Sequence, residues 1–209
     1  HHGLKKITAR IQWKQLDVLS ETGKYLAKPD LTFYWDSSSR RNFRISNDSL
    51  VTSDKRQELL NLLGNYNELV IPLTLEERFA GFKGIIKKKQ ENWVHVDFQS
   101  MKPSDPVRMF SLLIDVEKWV ISKLQIYQNN DPKRIRATLK YIPKDEQWLL
   151  FESTSRFNLD KDSYVETTRY FYDRVRSFWL VKKVEQTVKR NDETVQGYIF
   201  RMDQYRMND

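Results

Sequence analysis

Ile7-Thr8-Ala9-Arg10-Ile11-Gln12-Trp13 alternates apolar and polar side chains along its whole length. Successive side chains of a β-strand point to opposite faces of the sheet, so this stretch predicts a strand with one buried face. A single strand cannot bury that face alone. The fold therefore depends on whether the rest of the chain supplies partner strands with the same period.

The same two-residue period recurs along most of the chain, with short polar turns between its occurrences. Around residue 191, Asn191-Asp192-Glu193 predicts the turn of a long hairpin. The predicted strands lie at residues 31–35, 43–45, 79–89, 93–99, 134–141, 148–157, 163–172, 179–189 and 194–205.

Helical signals are few. Ser53 is a good N-cap, four leucines between residues 59 and 63 share one face, and Gly64 follows as a stop signal, so residues 53–63 predict a helix. Residues 105–128 are ambiguous, because Asp105-Pro106 favours a helix start whereas Leu124 and Ile126 favour a strand. Short connections between strands favour an antiparallel sheet.

We therefore predict an α+β chain that is mostly β, with a curved antiparallel sheet and a few packed helices. No composition shift marks a linker, so residues 4–209 are predicted to form a single domain. His1, His2 and Gly3 are typical of a tag remnant. The 209 residues, 39% of them hydrophobic, suffice for a core without disulfides, and there is no cysteine to form one.

The sequence offers no catalytic constellation. No nucleophile elbow, phosphate-binding glycine loop or metalloprotease helix is present. His95 is the only histidine beyond the first two residues. With Asp97 it supplies two ligands on one strand face, too few for a zinc site. We predict that the chain is not an enzyme, and that it has no catalytic residues, no metal site and no cofactor.

The net charge of +8 raises the question of nucleic acid. Arg134, Arg136 and Lys140 share one strand face, and aromatic residues interleave with arginines between residues 169 and 179. Stacking aromatics beside cations hold single strands. The alternative is that the aromatics form the core of a sheet whose outer face is basic. We favour this alternative and expect no nucleic-acid partner.

Residues 23–35 read Gly-Lys-Tyr-Leu-Ala-Lys-Pro-Asp-Leu-Thr-Phe-Tyr-Trp. This order resembles a strand pair of the LolA-like outer-membrane lipoprotein carriers, and the strands from residue 9 to residue 141 follow in similar order. The resemblance spans residues 4–141 and leaves 145–209 as additional strands of the same sheet. It implies a half-barrel around an apolar cavity, with residues 109–114 as strand. The family's strand after the third one, with its glycine and aromatic pair, is missing here.

In this family an arginine before the proline is associated with cargo release, and its counterpart here is Lys28. Lysine lacks the bidentate fork of arginine, which weakens the equivalence. The resemblance implies an exported protein, periplasmic or at the cell surface, whose partners are lipid or lipoprotein acyl chains, with peripheral membrane contact.

An acyl chain needs an apolar wall. The residues that such a sheet offers for that wall are Ile11, Trp13, Phe33, Trp35, Val94, Phe98 and Ile126. The same residues would also build a filled core, and the sequence does not decide between the two. The alternative function is a scaffold or assembly domain of an envelope complex, with envelope proteins as partners.

Overall fold

A computed structural model of the chain describes residues 5–16, 25–38, 41–45, 60, 68 and 70–208, with only the backbone for residues 25–30 and 208. Twelve strands and one short helix make up these residues. Their bounds are β1 (Lys6–Leu16), β2 (Tyr25–Asp36), β3 (Arg41–Ile45), α1 (Leu75–Phe79), β4 (Phe82–Lys89), β5 (Trp93–Ser100), β6 (Val107–Asp115), β7 (Val120–Gln128), β8 (Arg134–Lys144), β9 (Gln147–Leu159), β10 (Asp162–Val175), β11 (Phe178–Arg190) and β12 (Glu193–Asn208).

The strands form one sheet in the hydrogen-bonded order β3-β2-β1-β12-β11-β10-β9-β8-β7-β6-β5-β4. All pairings whose register is described are antiparallel, for example β1 with β12 and β8 with β9. The prediction of a mostly antiparallel β fold is thereby confirmed. Its half-barrel curvature and the single-domain assignment of residues 4–209 stay predictions.

The chain divides into two compact units. Unit 1 comprises His1–Pro72, Tyr170–Gln186 and Gln196–Asp209, and unit 2 comprises Leu73–Arg169 and Thr187–Val195. Each unit has a hydrophobic cluster of its own.

In unit 1 the alternation of β1 gives the predicted result. Ile7, Ala9, Ile11 and Trp13 are all buried, whereas the residues between them are half-buried. Leu31 and Phe33 of β2 complete the same face and have no exposed surface. Complete burial of one such side chain contributes about 2 kcal/mol, so this face drives the folding of unit 1.

In unit 2 residues 105–128 form the strands β6 and β7, not a helix. Phe110 and Leu112 of β6 point to the same face as Leu124 and Ile126 of β7, and this shared face forms the cluster of unit 2. The two-residue period along these two strands of nine residues each outweighs the local helix start at Asp105-Pro106.

The expectation of a few packed helices is an overstatement. In the described part of the chain the only complete helix is α1, five residues long. Its start is a capping box, in which the Thr74 hydroxyl accepts from the Glu77 backbone and the Glu77 carboxylate accepts from the Thr74 backbone. The sequence pattern predicted that a strand begins at Phe79. In the structure Phe79 is instead the last residue of α1, and the strand begins at Phe82.

Most of the helix predicted for residues 53–63 lies outside the described residues. Leu60, which is described, is helical and packs against the unit 1 cluster.

The alternation in β1 provides a direct stability test. We expect Ile11→Ala to lower the free energy of unfolding by about 3 kcal/mol, because it leaves a cavity in a packed core. Gln12→Ala, one residue away on the opposite face, is the matched control and should change it by less than about 0.5 kcal/mol. Urea unfolding followed by tryptophan fluorescence measures both. Equal effects would contradict the assigned faces.

Candidate functional site

The seven residues predicted to line a cavity are distributed over both units. Ile11, Trp13, Phe33 and Trp35 belong to unit 1, whereas Val94, Phe98 and Ile126 belong to unit 2. Each group joins the hydrophobic cluster of its unit, except Val94, which is half-buried in β5 opposite Ile114 of β6. Their role in ligand binding stays a prediction.

The unit 1 group is closely packed. Ile11 and Phe33 have no exposed surface and Trp13 has 2%. The Trp13 ring is stacked on Phe200, with ring centroids 5.8 Å apart and an interplanar angle of 7°, and it lies 5.5 Å from the ring of Tyr198. The centre of this cluster is therefore occupied by protein side chains.

Two polar atoms in this apolar interior lack partners. The indole nitrogens Nε1 of Trp13 and Trp35 are buried and have no hydrogen-bond acceptor among the described residues. A buried donor without an acceptor costs about 1–3 kcal/mol, and native proteins leave few of them. An acceptor atom of a bound molecule would remove this cost, which makes the surroundings of these indoles the candidate ligand site.

Trp13 lies opposite an irregularity of β2. Gln12 pairs with Asp30 and Lys14 pairs with Ala27, so the two residues Lys28 and Pro29 oppose the single residue Trp13. This is a β-bulge, and proline is tolerated there because it has no N–H to donate to the ladder. Of Lys28 only the backbone is described, so its predicted role in cargo release stays a prediction.

Trp35 lies at the other end of the same face, where it pairs with Ile7. Six residues of β1 separate Ile7 from Trp13, which corresponds to roughly 20 Å along a strand. The two unpartnered indoles therefore mark opposite ends of one apolar row.

Phe98 of the unit 2 group packs against α1. The ring of Phe98 stacks on Phe79 of the helix at a centroid distance of 4.1 Å. A Cβ atom at Gly84 would approach the Phe98 ring to 3.2 Å, so the absence of a side chain at Gly84 makes room for that ring. Phe110 meets Phe79 edge-on at 5.3 Å. The wall that Phe98 was predicted to offer is thus covered by a helix of its own unit.

His95, Asp97 and Ser111 form a polar cluster on the opposite face. His95 Nε2 lies 2.7 Å from Ser111 Oγ and 3.2 Å from Asp97 Oδ1. A catalytic triad needs the nucleophile and the acid on different ring nitrogens, whereas here both contact the same one. In the described part of the chain no three metal-ligating side chains come together either.

The basic face predicted from Arg134, Arg136 and Lys140 is present, but its members differ in their partners. Arg134 donates to Gln125 Oε1 and lies over the ring of Tyr127 at 5.2 Å. Lys140 binds Glu152 Oε1 at 2.7 Å. Arg136 is exposed. The face is therefore partly neutralised by neighbouring strands.

Glu152 is the shared carboxylate of two salt bridges, one with Lys140 and one with Arg169. It is buried to 8% exposure between Lys140 on β8 and Arg169 on β10, whose Nε lies 2.9 Å from its Oε2. The hydrogen bonds from Lys140 and Arg169 lower the pKa of Glu152 from its ordinary value, although burial acts in the opposite direction.

An open pocket of about 660 Å³ lies in unit 2, at the ends of β8, β9 and β10. None of the seven predicted cavity residues lines it. Its wall combines charged, polar and apolar side chains, namely Asp131, Lys133, Arg134, Arg136, Arg156, Phe157, Asn158, Asp160, Ser163, Tyr164 and Val165. Sequence reasoning noted Arg134 and Arg136 but missed Arg156, because only strand pairing brings it beside them.

The aromatic stretch that favoured nucleic acid belongs largely to the core. Tyr170, Tyr172 and Phe178 pack against the unit 1 cluster. Phe171 carries the ammonium group of Lys183 over its ring at 3.9 Å. Aromatic rings in these positions are not free to stack on bases.

No helix in the described part of the chain is long and apolar enough to cross a membrane.

No protein-family model matches the chain, and no curated protein matches it. Among solved structures, it is similar to a DUF1329 family protein from Desulfovibrio piger, with 9% identity, a TM-score of 0.37 and coverage of 99% of this chain and 87% of the other. It is also similar to a LolA superfamily protein from Nitrosomonas europaea, with 8% identity, a TM-score of 0.35 and coverage of 100% of this chain and 89% of the other.

A third similar structure is a domain from Vibrio parahaemolyticus described as an outer membrane lipoprotein-sorting protein. It is 7% identical, with a TM-score of 0.35 and coverage of 99% of this chain and 87% of the other. Similarity at these TM-scores and identities establishes neither a shared fold nor a function.

Glu152 gives a pH-dependent prediction. Its pKa is lower in the folded than in the unfolded chain, so its stabilisation is complete above the ordinary glutamate pKa and disappears as the pH falls through the lowered value. We expect Glu152→Gln to destabilise the protein at pH 7 by about 1 kcal/mol, since both cations are more than half exposed to water. The difference from the wild type should shrink toward zero in strong acid.

Thermal melts between acid and neutral pH test this expectation. Glu146→Gln is the matched control, because Glu146 is exposed in the turn before β9. A Glu152→Gln effect that stays constant across the whole pH range would show that the carboxylate charge is not its cause.

Proposed function

We propose that the protein binds a lipid or lipoprotein acyl chain in unit 1, with the carbonyl group of the ligand accepting a hydrogen bond from the Trp13 indole. The observation that carries this proposal is the buried Trp13 Nε1, which has no acceptor among the described residues and lies inside an otherwise apolar cluster. Esters and amides of fatty acids combine the two features that this position requires, an acceptor oxygen and an apolar chain.

The position of Trp13 supports the proposal. It faces the Lys28-Pro29 bulge, the corner at which the sequence resembles the lipoprotein carriers. Bulges interrupt pairing and occur beside functional sites. In this proposal the ligand binds at the Trp13 end of the apolar row, beside the bulge, and not at the centre of the row, where Ile11 and Phe33 have no exposed surface.

The energetics are sufficient for a carrier. Each buried CH₂ group contributes about 0.8 kcal/mol, so partial burial of a long acyl chain gives micromolar affinity after the costs of binding. In this proposal the protein is exported, acts in the periplasm or at the cell surface, and transfers its ligand without chemical change.

One observation favours the alternative of a scaffold domain. Trp119, in the turn between β6 and β7, exposes 80% of its surface. Exposed tryptophans often anchor protein–protein interfaces. A scaffold would use such surface residues and would leave the unit 1 interior filled by its own side chains.

Removal of the indole N–H tests the carrier proposal. Trp13→Phe keeps an apolar ring and deletes the donor, so we expect affinity for a fluorescent fatty-acid ester probe to fall about fivefold or more. Trp35→Phe makes the same change at the other end of the row and should retain binding. Thermal melts of both variants check that each is folded at the titration temperature, and Trp13→Phe should lose more stability than Trp35→Phe because Trp13 is the more deeply buried.

Native mass spectrometry of the purified wild type, followed by organic extraction, complements the titration. Co-purified lipid that Trp13→Phe lacks would support the proposal. A well-folded wild type that binds no probe and carries no lipid would contradict it, and the scaffold function would then be the better account.

A further inference from the structure

Two arginines face each other across β8 and β9, and neither forms an ion pair with any described residue. Arg136 and Arg156 are directly paired in the register of these strands. Both are exposed, and neither guanidinium has a hydrogen bond or ion pair within the described residues. Side chains in directly opposite positions have Cβ atoms about 5 Å apart, and like charges there destabilise a sheet.

The same face shows how such charges are neutralised elsewhere. Four residues further along β8, on the same face, Lys140 shares the carboxylate of Glu152 with Arg169. On this face, the residue pair between the two positions is Thr138 and Thr154, which is uncharged. On β10 the partner of Arg156 is Val165, which brings no carboxylate. The sheet therefore compensates one basic rung internally and leaves the other open to solvent.

The uncompensated pair lines the unit 2 pocket of about 660 Å³. Lys133 and Arg134 add two further cations to the wall, and Asp131 and Asp160 contribute its two carboxylates. The lining therefore has an excess of two positive charges. A doubly charged anion would balance it.

We propose that Arg136 and Arg156 bind a phosphate group in this pocket. Guanidinium groups bind phosphate oxygens through paired, charge-assisted hydrogen bonds, and two of them on one rung offer donors to three or four oxygens. The ligand is a phosphomonoester, carried by a lipid headgroup or by a small soluble phosphate. This site lies in unit 2 and stands independently of the acyl-chain proposal for unit 1.

The variants Arg136→Gln and Arg156→Gln test the site. In buffer without phosphate each should melt at or above the wild-type temperature, because the repulsion between the pair is relieved. Inorganic phosphate should raise the melting temperature of the wild type above that in chloride at equal ionic strength. In each variant the phosphate affinity should fall about tenfold or more.

The double variant Arg201→Gln/Arg206→Gln is the matched control. It removes two positive charges, one more than each test variant, from two exposed positions of β12 in unit 1. It should respond to phosphate as the wild type does. An equal loss of the phosphate response in this control would overturn the proposal, because net charge alone would then explain binding.

The source of the phosphate is distinguished with vesicles. Phosphatidylcholine vesicles containing phosphatidic acid are compared with vesicles given the same charge by oleate. Binding to phosphatidic acid that requires both arginines supports a lipid headgroup, whereas a response to inorganic phosphate alone supports a soluble ligand. Equal binding to the two vesicles together with no phosphate response would overturn the site.

A binding measurement with a single-stranded oligonucleotide tests the remaining alternative, nucleic acid. Oligonucleotide binding at about 150 mM salt that is tighter than phosphate binding and depends on the arginine pair would replace the proposal by nucleic-acid recognition. Absence of such binding, with the phosphate response intact, supports a single phosphate group as the ligand.

Discussion

The two-residue period of the strands is the constraint on which both units depend. It sorts every strand into an apolar and a polar face, and antiparallel pairing then aligns these faces across the sheet. A slip of one residue in β8 would move Ala137, which is buried, to the polar face and bring Arg136 into the apolar face. The cost of a buried, unpaired guanidinium excludes that register. Register, more than any single contact, therefore decides which groups meet.

Tight turns help to fix the register between neighbouring strands, as the turn between β11 and β12 shows. Asn191 and Asp192, between β11 and β12, both adopt positive φ, with values of 50° and 71°. Two-residue hairpin loops with positive φ at both positions match the right-handed twist of strands, and asparagine and aspartate tolerate this conformation. The Asn191 amide also donates to Asp162, which ties this turn to the first residue of β10 within unit 2. Local turn chemistry thus sets long-range pairing.

The sequence contains the strands and their faces but not the pairs between them. The alternation of Ile7 to Trp13 predicts β1 and its buried side, since both follow from neighbours along the chain. That Trp13 opposes the Lys28-Pro29 bulge, or that Arg136 opposes Arg156, depends on register between strands and has no local signal. The start of α1 did have a local signal, the Thr74 and Glu77 capping box, which the apolar pattern around Phe79 obscured.

Several charged groups on these strands are paired with a group of opposite charge. Arg10 forms two hydrogen bonds with Asp203 on the paired strand β12, and Glu152 binds two cations. In contrast, the Trp13 indole and the Arg136–Arg156 pair each lower stability, and no contact with a described residue offsets this cost. Proteins tolerate such departures mainly at sites where a ligand supplies the missing partner. A hydrogen-bond donor inside an apolar cluster calls for an acceptor on a hydrophobic molecule, whereas two opposed guanidinium groups call for an anion. The two proposed sites therefore differ in the ligand chemistry that they require, and each can be tested without the other.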